Sequence, residues 1–295
     1  MTDALSRDAE SEANYVVRES RARAALAAVL AADRLHGAYA LAQLEAEAFP
    51  HARWWLCEGP AGAAIVCHSR AGLGNATYVS GSPGGVQRIL SIHPGAFHTF
   101  VTARPSHFDA LESVYTLRSP RTMLRMHVTA ERFAPIEGVT FRLRPAHAGA
   151  LNQLYSSDGG PTSYQPRHLS EGCYYGVQED GRLLAVAGTH SMSPTHSVAV
   201  VGNVFTHPSA RGRGLATATS AAVTANLLQS HTDVVLSVDP TNAPAIRAYR
   251  RLGFTDAGEI VEAGAHRRAG SLTTGLRRLL AAYRGRCAGV EILRG

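Results

Sequence analysis

Lysine is missing from this 295-residue chain; all 29 of its Lys+Arg positions are arginine. The absence excludes Schiff-base chemistry on a lysine and the lysine of phosphate loops, and with them pyridoxal enzymes and P-loop nucleotidases. The heavy use of Arg and Ala reads as genome composition. Cysteine is scarce: Cys57, Cys67, Cys173 and Cys287 stand apart and form no C-x-x-C pair. Four cysteines in a chain this long do not make a disulfide scaffold, so scattered reduced thiols are expected. No stretch approaches the roughly 20 apolar residues of a membrane span. The opening MTDALSRDAESEANY is charged from the start and lacks the apolar run of a secretory leader. A cytoplasmic protein without membrane contact is the expectation.

What is present is ordinary for a globular protein, with 45% hydrophobic and 18% charged residues. At roughly 150 residues per domain the length suggests two domains. The 29 arginines against 23 acidic groups leave a formal charge of +6. Its densest cluster is the tail, with Arg267, Arg268, Arg277, Arg278, Arg284, Arg286 and Arg294. Without interleaved aromatics these read as a solvated helix face, and no nucleic-acid partner is expected.

Hydrophobic periodicity divides the chain. Residues 15 to 48 are Ala-rich and read as helix with a break at Gly37. RWWLCEG, AAIVCHS, NATYVSG and FHTFVTA are strand-sized runs, with helices expected near 86–92 and in HFDALESVYT. MLRMHVTAERF closes the first half at Ala134-Pro135. The second half restarts at Gly138 with the strand VTFRLRP and the helix HAGALNQLYSS. Two strands around Glu179-Asp180-Gly181 follow. Then come the strand SVAVVGNVFTHP, the helix GRGLATATSAAVTANLLQSH, the strand DVVLSVDP, the helix APAIRAYRRLG and the strand FTDAGEIVEA. The two halves share this crude order, which predicts a duplicated α/β fold.

The informative segment is Val204-Phe205-Thr206-His207-Pro208-Ser209-Ala210-Arg211-Gly212-Arg213-Gly214-Leu215-Ala216-Thr217-Ala218. An apolar strand enters an Arg/Gly turn that leads directly into a long helix. The first turn of a helix carries unpaired N–H groups and the positive end of the macrodipole. Gly212 and Gly214 let those amides approach a diphosphate without a Cβ between, Arg211 and Arg213 add charged donors, and Thr217 adds a hydroxyl. Further on stands VVLSVDPTNAPAIRAYRRLGF, a strand followed by Asn242 and a helix that carries Tyr249.

Together the two motifs resemble the GNAT superfamily of acyl-CoA-dependent N-acyltransferases. Arg211-x-x-Gly214-x-Ala216 is similar to that family's pyrophosphate signature, and Asn242-x-x-Ala245-x-x-x-Tyr249 with Leu252-Gly253-Phe254 to its second cofactor helix. The resemblance covers roughly residues 138–262. It implies an α/β fold with a central mixed sheet flanked by helices, here in tandem. The expected layout is a GNAT-like domain over 1–137 that does not bind CoA, a catalytic domain over 138–270 and an amphipathic helical tail over 271–295. Glycine N-acyltransferases and mycothiol synthase have a similar tandem layout.

The resemblance further implies roles. Val204, Phe205 and Thr206 would pair with the pantetheine arm, and the amides of Gly212, Arg213, Gly214, Leu215 and Ala216 would hold the diphosphate. Asn242 would bond the arm beside Ala245, and Tyr249 would protonate the leaving thiolate. A strand amide, that of Val204 or Phe205, would stabilise the oxyanion. Acetyl-CoA or another acyl-CoA is the expected donor, with no metal. Many relatives carry a glutamate on the central strand where this chain has Asn203. The base must therefore be another group, with His190, His196 and Glu179 as candidates, or ordered water, or an amine of low pKa.

The first half has no such cradle: TYVSGSPGGVQRIL offers glycines without the arginine motif. In the tail, Leu272, Leu276, Leu279, Leu280 and Tyr283 share one helical face, which is expected to pack on the body or on a second subunit as a homodimer contact. The expected activity is transfer of an acyl group, most simply acetyl, to a small amine or amino acid. A protein or peptide amine and a non-catalytic CoA-binding protein are the alternatives.

Overall fold

The computed structural model describes residues 15–71, 74–160 and 162–268; Cys287 and the amphipathic tail lie outside them. The chain forms two compact units, one ending at Thr122 and resuming at Glu259, the other spanning Met123–Gly258. Among the described residues no helix is long and apolar enough to cross a membrane.

The first unit contains β1 (Val16–Glu19), α1 (Arg23–Ala31), α2 (Ala38–Ala42), β2 (Ala52–Glu58), β3 (Ala64–Ser69) and β4 (Ala76–Gly81). α3 (Pro83–Ile92), β5 (His98–Ala103) and α4 (Phe108–Glu112) follow. β6 (Tyr115–Val128) carries the chain into the second unit, and β12 (Thr255–Arg267) brings it back. The sheet order is β1-β2-β3-β4-β5-β12. β4 and β5 run parallel over Ala76–Tyr78 and Phe100–Thr102, whereas β1–β2, β2–β3, β3–β4 and β5–β12 are antiparallel. Trp55, Val66, Ile89, Leu90, Val101, Leu111 and Tyr115 fill the core on the α3 side.

The helix expected over 15–48 is in fact a strand and two short helices. The β-branched pair Val16-Val17 starts an edge strand that pairs with Trp55–Glu58, and the Asp33 carbonyl turns the chain by accepting the N–H groups of His36 and Gly37. The helix expected through HFDALESVYT stops at Glu112, because Tyr115 is buried as the first residue of a strand.

The second unit contains β7 (Phe141–Arg142), α5 (Ala148–Ser156), α6 (Pro166–Glu171), β8 (Tyr174–Glu179), β9 (Arg182–Ser193) and β10 (Val198–Thr206). α7 (Leu215–Leu227), β11 (Asp233–Val238) and α8 (Ala243–Arg251) complete it. Its order is β6-β11-β10-β9-β8-β7. Again a single parallel pair, β10–β11, sits among antiparallel neighbours. Alternation along the strands separates two cores. Ala187, Ala199, Val201, Leu236 and Met126 face α7 and α8, while Val186, Leu183 and Tyr174 face α5 and α6. The units divide near residue 122 and not at 137, because Leu124–Val128 pair with Val234–Val238 of β11 and so belong to the second sheet.

Candidate active site

The site is built where β10 leaves β11. The parallel pairing runs from Val198↔Asp233 to Val201↔Leu236 and stops there, yet β10 continues to Thr206 alongside β9. The register against β9 slips between Gly202↔Gly188 and Phe205↔Val186, so β10 takes three steps against two. This is a β-bulge. Asn203 lies in it with φ +54°, in the left-handed region. Beyond the bulge, Val204 packs with the core that contains Tyr249, whereas Phe205 packs with the core that contains Tyr155, their ring centroids 5.1 Å apart. Thr206 Oγ1 is buried and has no hydrogen-bond partner.

The strand then feeds a turn and α7. Gly212 and Gly214 adopt φ +80° and +76°, and a Cβ at either would meet nothing within 4 Å. Glycine is needed here for its backbone, and the space above that backbone is open. Gly214 is the N-cap residue without a side-chain cap, and the first helical bond runs from the Ala218 N–H to the Gly214 carbonyl (3.1 Å). The N–H groups of Leu215, Ala216 and Thr217 therefore have no partner within the helix. No acidic residue stands in this first turn. A loop of outward amides with open space above it fits a diphosphate.

The cradle arginines are both ion-paired. Arg211 pairs with Asp158 and donates to the Thr206 carbonyl at 3.4 Å, while Arg213 grips both oxygens of Glu179. Both pairs are exposed. The bond from Arg213 holds the Glu179 carboxyl below its ordinary pKa, which makes Glu179 a poor base.

Of the other two basic candidates, His196 lies in the β9–β10 turn, about 23 Å of extended chain before Asn203. His190 stands beside the splay: a Cβ on Gly202 would come within 2.9 Å of its own Cβ. The residue is exposed, yet desolvation by the groups packed about its ring, aided by the charge of Arg125, lowers its pKa and favours the neutral imidazole.

α8 presents Tyr249 to the same core. Asn242 caps the helix by accepting the Ala245 N–H at 3.1 Å, and Pro244 occupies the first turn, where its missing N–H costs nothing. Tyr249 is 8% exposed and packs edge-on against Phe254 at 5.9 Å. Burial pushes its phenol up to about 12. Ser220 of α7 lies near enough to oppose that shift but outside bonding geometry, its Oγ being a buried hydroxyl without a partner.

Sequence reasoning missed the tyrosines that surround Asn203. The Tyr155 hydroxyl donates to the Asn203 carbonyl at 2.6 Å. Asn203 Nδ2 donates to the Tyr174 hydroxyl and to the Thr189 carbonyl, each at 3.1 Å. Asn203 is thus held from both ends. In the first unit the place that corresponds to the cradle is filled: Ser82 caps α3 by accepting the Gly85 N–H (3.3 Å), and a Cβ on Gly84 would meet the Tyr15 hydroxyl at 2.5 Å. A cavity of about 620 Å³ lies along α7 between Ala218–Ala225 and residues 135–140, and neither the cradle glycines nor Tyr249 line it. Among the described residues no three His, Cys, Asp or Glu side chains gather as a metal site.

Residues 143–254 match the acetyltransferase (GNAT) family. Among solved structures, the fold is similar to a tandem GNAT protein from the clavulanic acid biosynthesis pathway, at 15% identity and TM-score 0.54, over 87% of this chain and 99% of that one. It is similar to a GCN5-related N-acetyltransferase from Sphaerobacter thermophilus, at 19% identity and TM-score 0.51, over 87% and 97% of the two chains. A Drosophila protein is similar at 14% identity and TM-score 0.59, over 84% and 98%. No curated protein matches in sequence. Identities this low speak for the fold; the family match falls on the unit that carries both the splay and the open turn. Residues 143–254 thus match the GNAT family of acetyltransferases, and the fold of the chain is similar to that of a tandem GNAT protein.

Proposed function

We propose that the second unit transfers an acetyl group from acetyl-CoA to the amine of a small molecule or amino acid, by direct attack in a ternary complex. The observation that carries this reading is the coincidence of the β10–β11 splay with the unfilled glycine turn at the start of α7. Bound acetyl-CoA supplies an activated thioester carbonyl; everything else is work for this chain.

The amides of Gly212, Arg213, Gly214, Leu215 and Ala216, with the Thr217 hydroxyl, hold the diphosphate. Arg211 and Arg213 exchange their carboxylate partners for phosphate oxygens. Val204, Phe205 and Thr206 offer a free strand edge to the pantetheine arm, and the orphan Thr206 Oγ1 gains a partner there. Asn242 and Ala245 border the same arm. The amide of Val204 or Phe205 meets the developing negative charge. Tyr249, protonated at neutral pH, gives its proton to the departing sulfur.

His190 accepts the proton of the attacking amine. Support comes from its place beside Gly202 and from a pKa that leaves it neutral. The first unit is read as not holding CoA, since Tyr15 and Ser82 occupy the start of α3.

Thermal unfolding with acetyl-CoA, CoA and ADP tests the binding half. At about 100 times Kd, ligand adds roughly 2.7 kcal/mol, and acetyl-CoA and CoA should stabilise the protein well beyond ADP. Equal shifts with all three would deny the pantetheine groove. Free-thiol release with an amino acid, an amino sugar, a polyamine and an aralkylamine then tests acceptor class. Binding without release from any of them, but with release from a peptide amine, would move the acceptor to protein.

A further inference from the structure

We propose that Tyr155 and Tyr174 are positioning residues that hold the Asn203 backbone in its left-handed conformation, and so aim the strand amide that follows it; the inference rests on the acyltransferase reading above. A residue with positive φ other than glycine is uncommon, and asparagine tolerates it best because its short amide bonds locally. Here the amide does not bond locally. Both of its N–H bonds go across the sheet, to the Tyr174 hydroxyl and to the Thr189 carbonyl, and the Tyr174 hydroxyl itself donates to that same carbonyl at 3.2 Å. From α5, the Tyr155 hydroxyl seizes the Asn203 carbonyl. Side chain and main chain of one residue are thus fixed by phenols from a strand and a helix.

The surroundings are arranged for this. The Tyr174 ring crosses β9 over Gly188, where a Cβ would come within 2.2 Å of it. Gly188 is also the residue opposite Gly202, the last regular step before the bulge. Tyr155 is itself braced by rings, Tyr164 stacked at 5.1 Å and Phe205 tilted at 5.1 Å. Both phenols are at most 5% exposed, and burial raises their pKa, so they remain hydroxyl donors at any working pH.

An extra residue in a strand reverses which side each following N–H faces. The bulge at Asn203 therefore decides which amide, Val204 or Phe205, looks into the gap left by β11. The hydroxyls of Tyr155 and Tyr174 touch no reacting atom on this reading. They set an angle.

The test is Tyr155→Phe, which removes one oxygen and keeps the ring stacking, with Tyr174→Phe as its partner. Free-thiol release from acetyl-CoA, with whichever amine of the four classes is turned over best, should lose about tenfold in kcat, the loss expected of one hydrogen bond. The acetyl-CoA Kd should stay within about threefold and the melting temperature within a few degrees. A crystal structure of Tyr155→Phe should show φ at residue 203 out of the left-handed region or the bulge re-registered. An unchanged kcat in both variants, or an unmoved φ, overturns the proposal. So does a loss that merely tracks melting temperature and Kd. Should the wild-type protein release no thiol, the acyltransferase reading has failed instead, and the backbone at residue 203 in the variant still decides the pin.

Discussion

A phenol raised to about 12 by burial is a proton donor that is never empty at neutral pH, and Tyr249 is such a group beside the splayed strand. Tyr249→Phe should lower kcat by about 10²-fold with acetyl-CoA affinity nearly kept, since the ring still packs on Phe254. A wild-type rate would remove it from the chemistry. His190 makes the complementary prediction. Its lowered pKa means that the basic form persists above that pKa and is lost below it, so kcat/KM should fall on the acid side at a pH under the ordinary imidazole value. His190→Gln should abolish that limb, and a profile with the limb intact would assign the base elsewhere. Tyr249 and the turn glycines stood out as candidates in the sequence because each sits in a local motif. The Asn203 conformation was not: its partners lie 48 and 29 residues away, and only the folded sheet brings them together.

At the scale of elements, the same division holds between local and long-range causes. α7 and α8 announce themselves by Gly214 and by Asn242-Ala-Pro, because helix starts are set by φ values and caps within four residues. α8 ends as locally, at Gly253 with φ +91°, where a Cβ would also strike the Arg132 carbonyl at 2.0 Å. β1 was read as helix because four residues carry too little periodicity to outweigh an Ala-rich neighbour, and what makes it a strand is the edge of β2. The cradle turn yields a prediction of this scale. Gly214→Glu puts a Cβ where φ is +76° and a carboxylate in the proposed diphosphate cradle. Acetyl-CoA affinity should drop beyond detection in a titration, while the protein stays folded at a cost of roughly 1–2 kcal/mol for the left-handed backbone. Unchanged affinity would detach the cradle from CoA. Gly214→Ala separates the causes: it carries the backbone cost without the charge and should weaken binding only in part.

Over the whole molecule, the titrating groups make the two units unequal in acid. His68, in the first unit, donates Nε2–H to the His93 carbonyl (3.0 Å) and faces Thr77 Oγ1 through Nδ1 (2.9 Å), with its ring against Trp55. Burial lowers its pKa to about 4, and lowers those of His107 and His93 as well. A histidine with a depressed native pKa stays neutral in the fold while the unfolded chain takes up the proton near pH 6.5. Stability is therefore whole above pH 6.5 and declines as pH falls toward 4, by about 3 kcal/mol for His68 at most. Asp33 acts in a lower window. Burial works to raise its carboxyl, yet Arg104 and His36 hold it well below the usual range, so its contribution starts to fade only under about pH 4. Both groups belong to the unit that lacks the cradle, where three histidines have lowered pKa values through burial, against His190 in the second unit. Acidification from pH 7.5 to 5 should thus lower the melting temperature of the free protein by several degrees, with the first unit opening first, and His68→Asn should flatten the slope in that interval. If acetyl-CoA binds the second unit alone, as proposed, saturating ligand should leave the slope in place while a proteolytic cut appears within residues 15–122 before any within 123–258. An acid transition that acetyl-CoA suppresses in both units together would mean that they unfold as one.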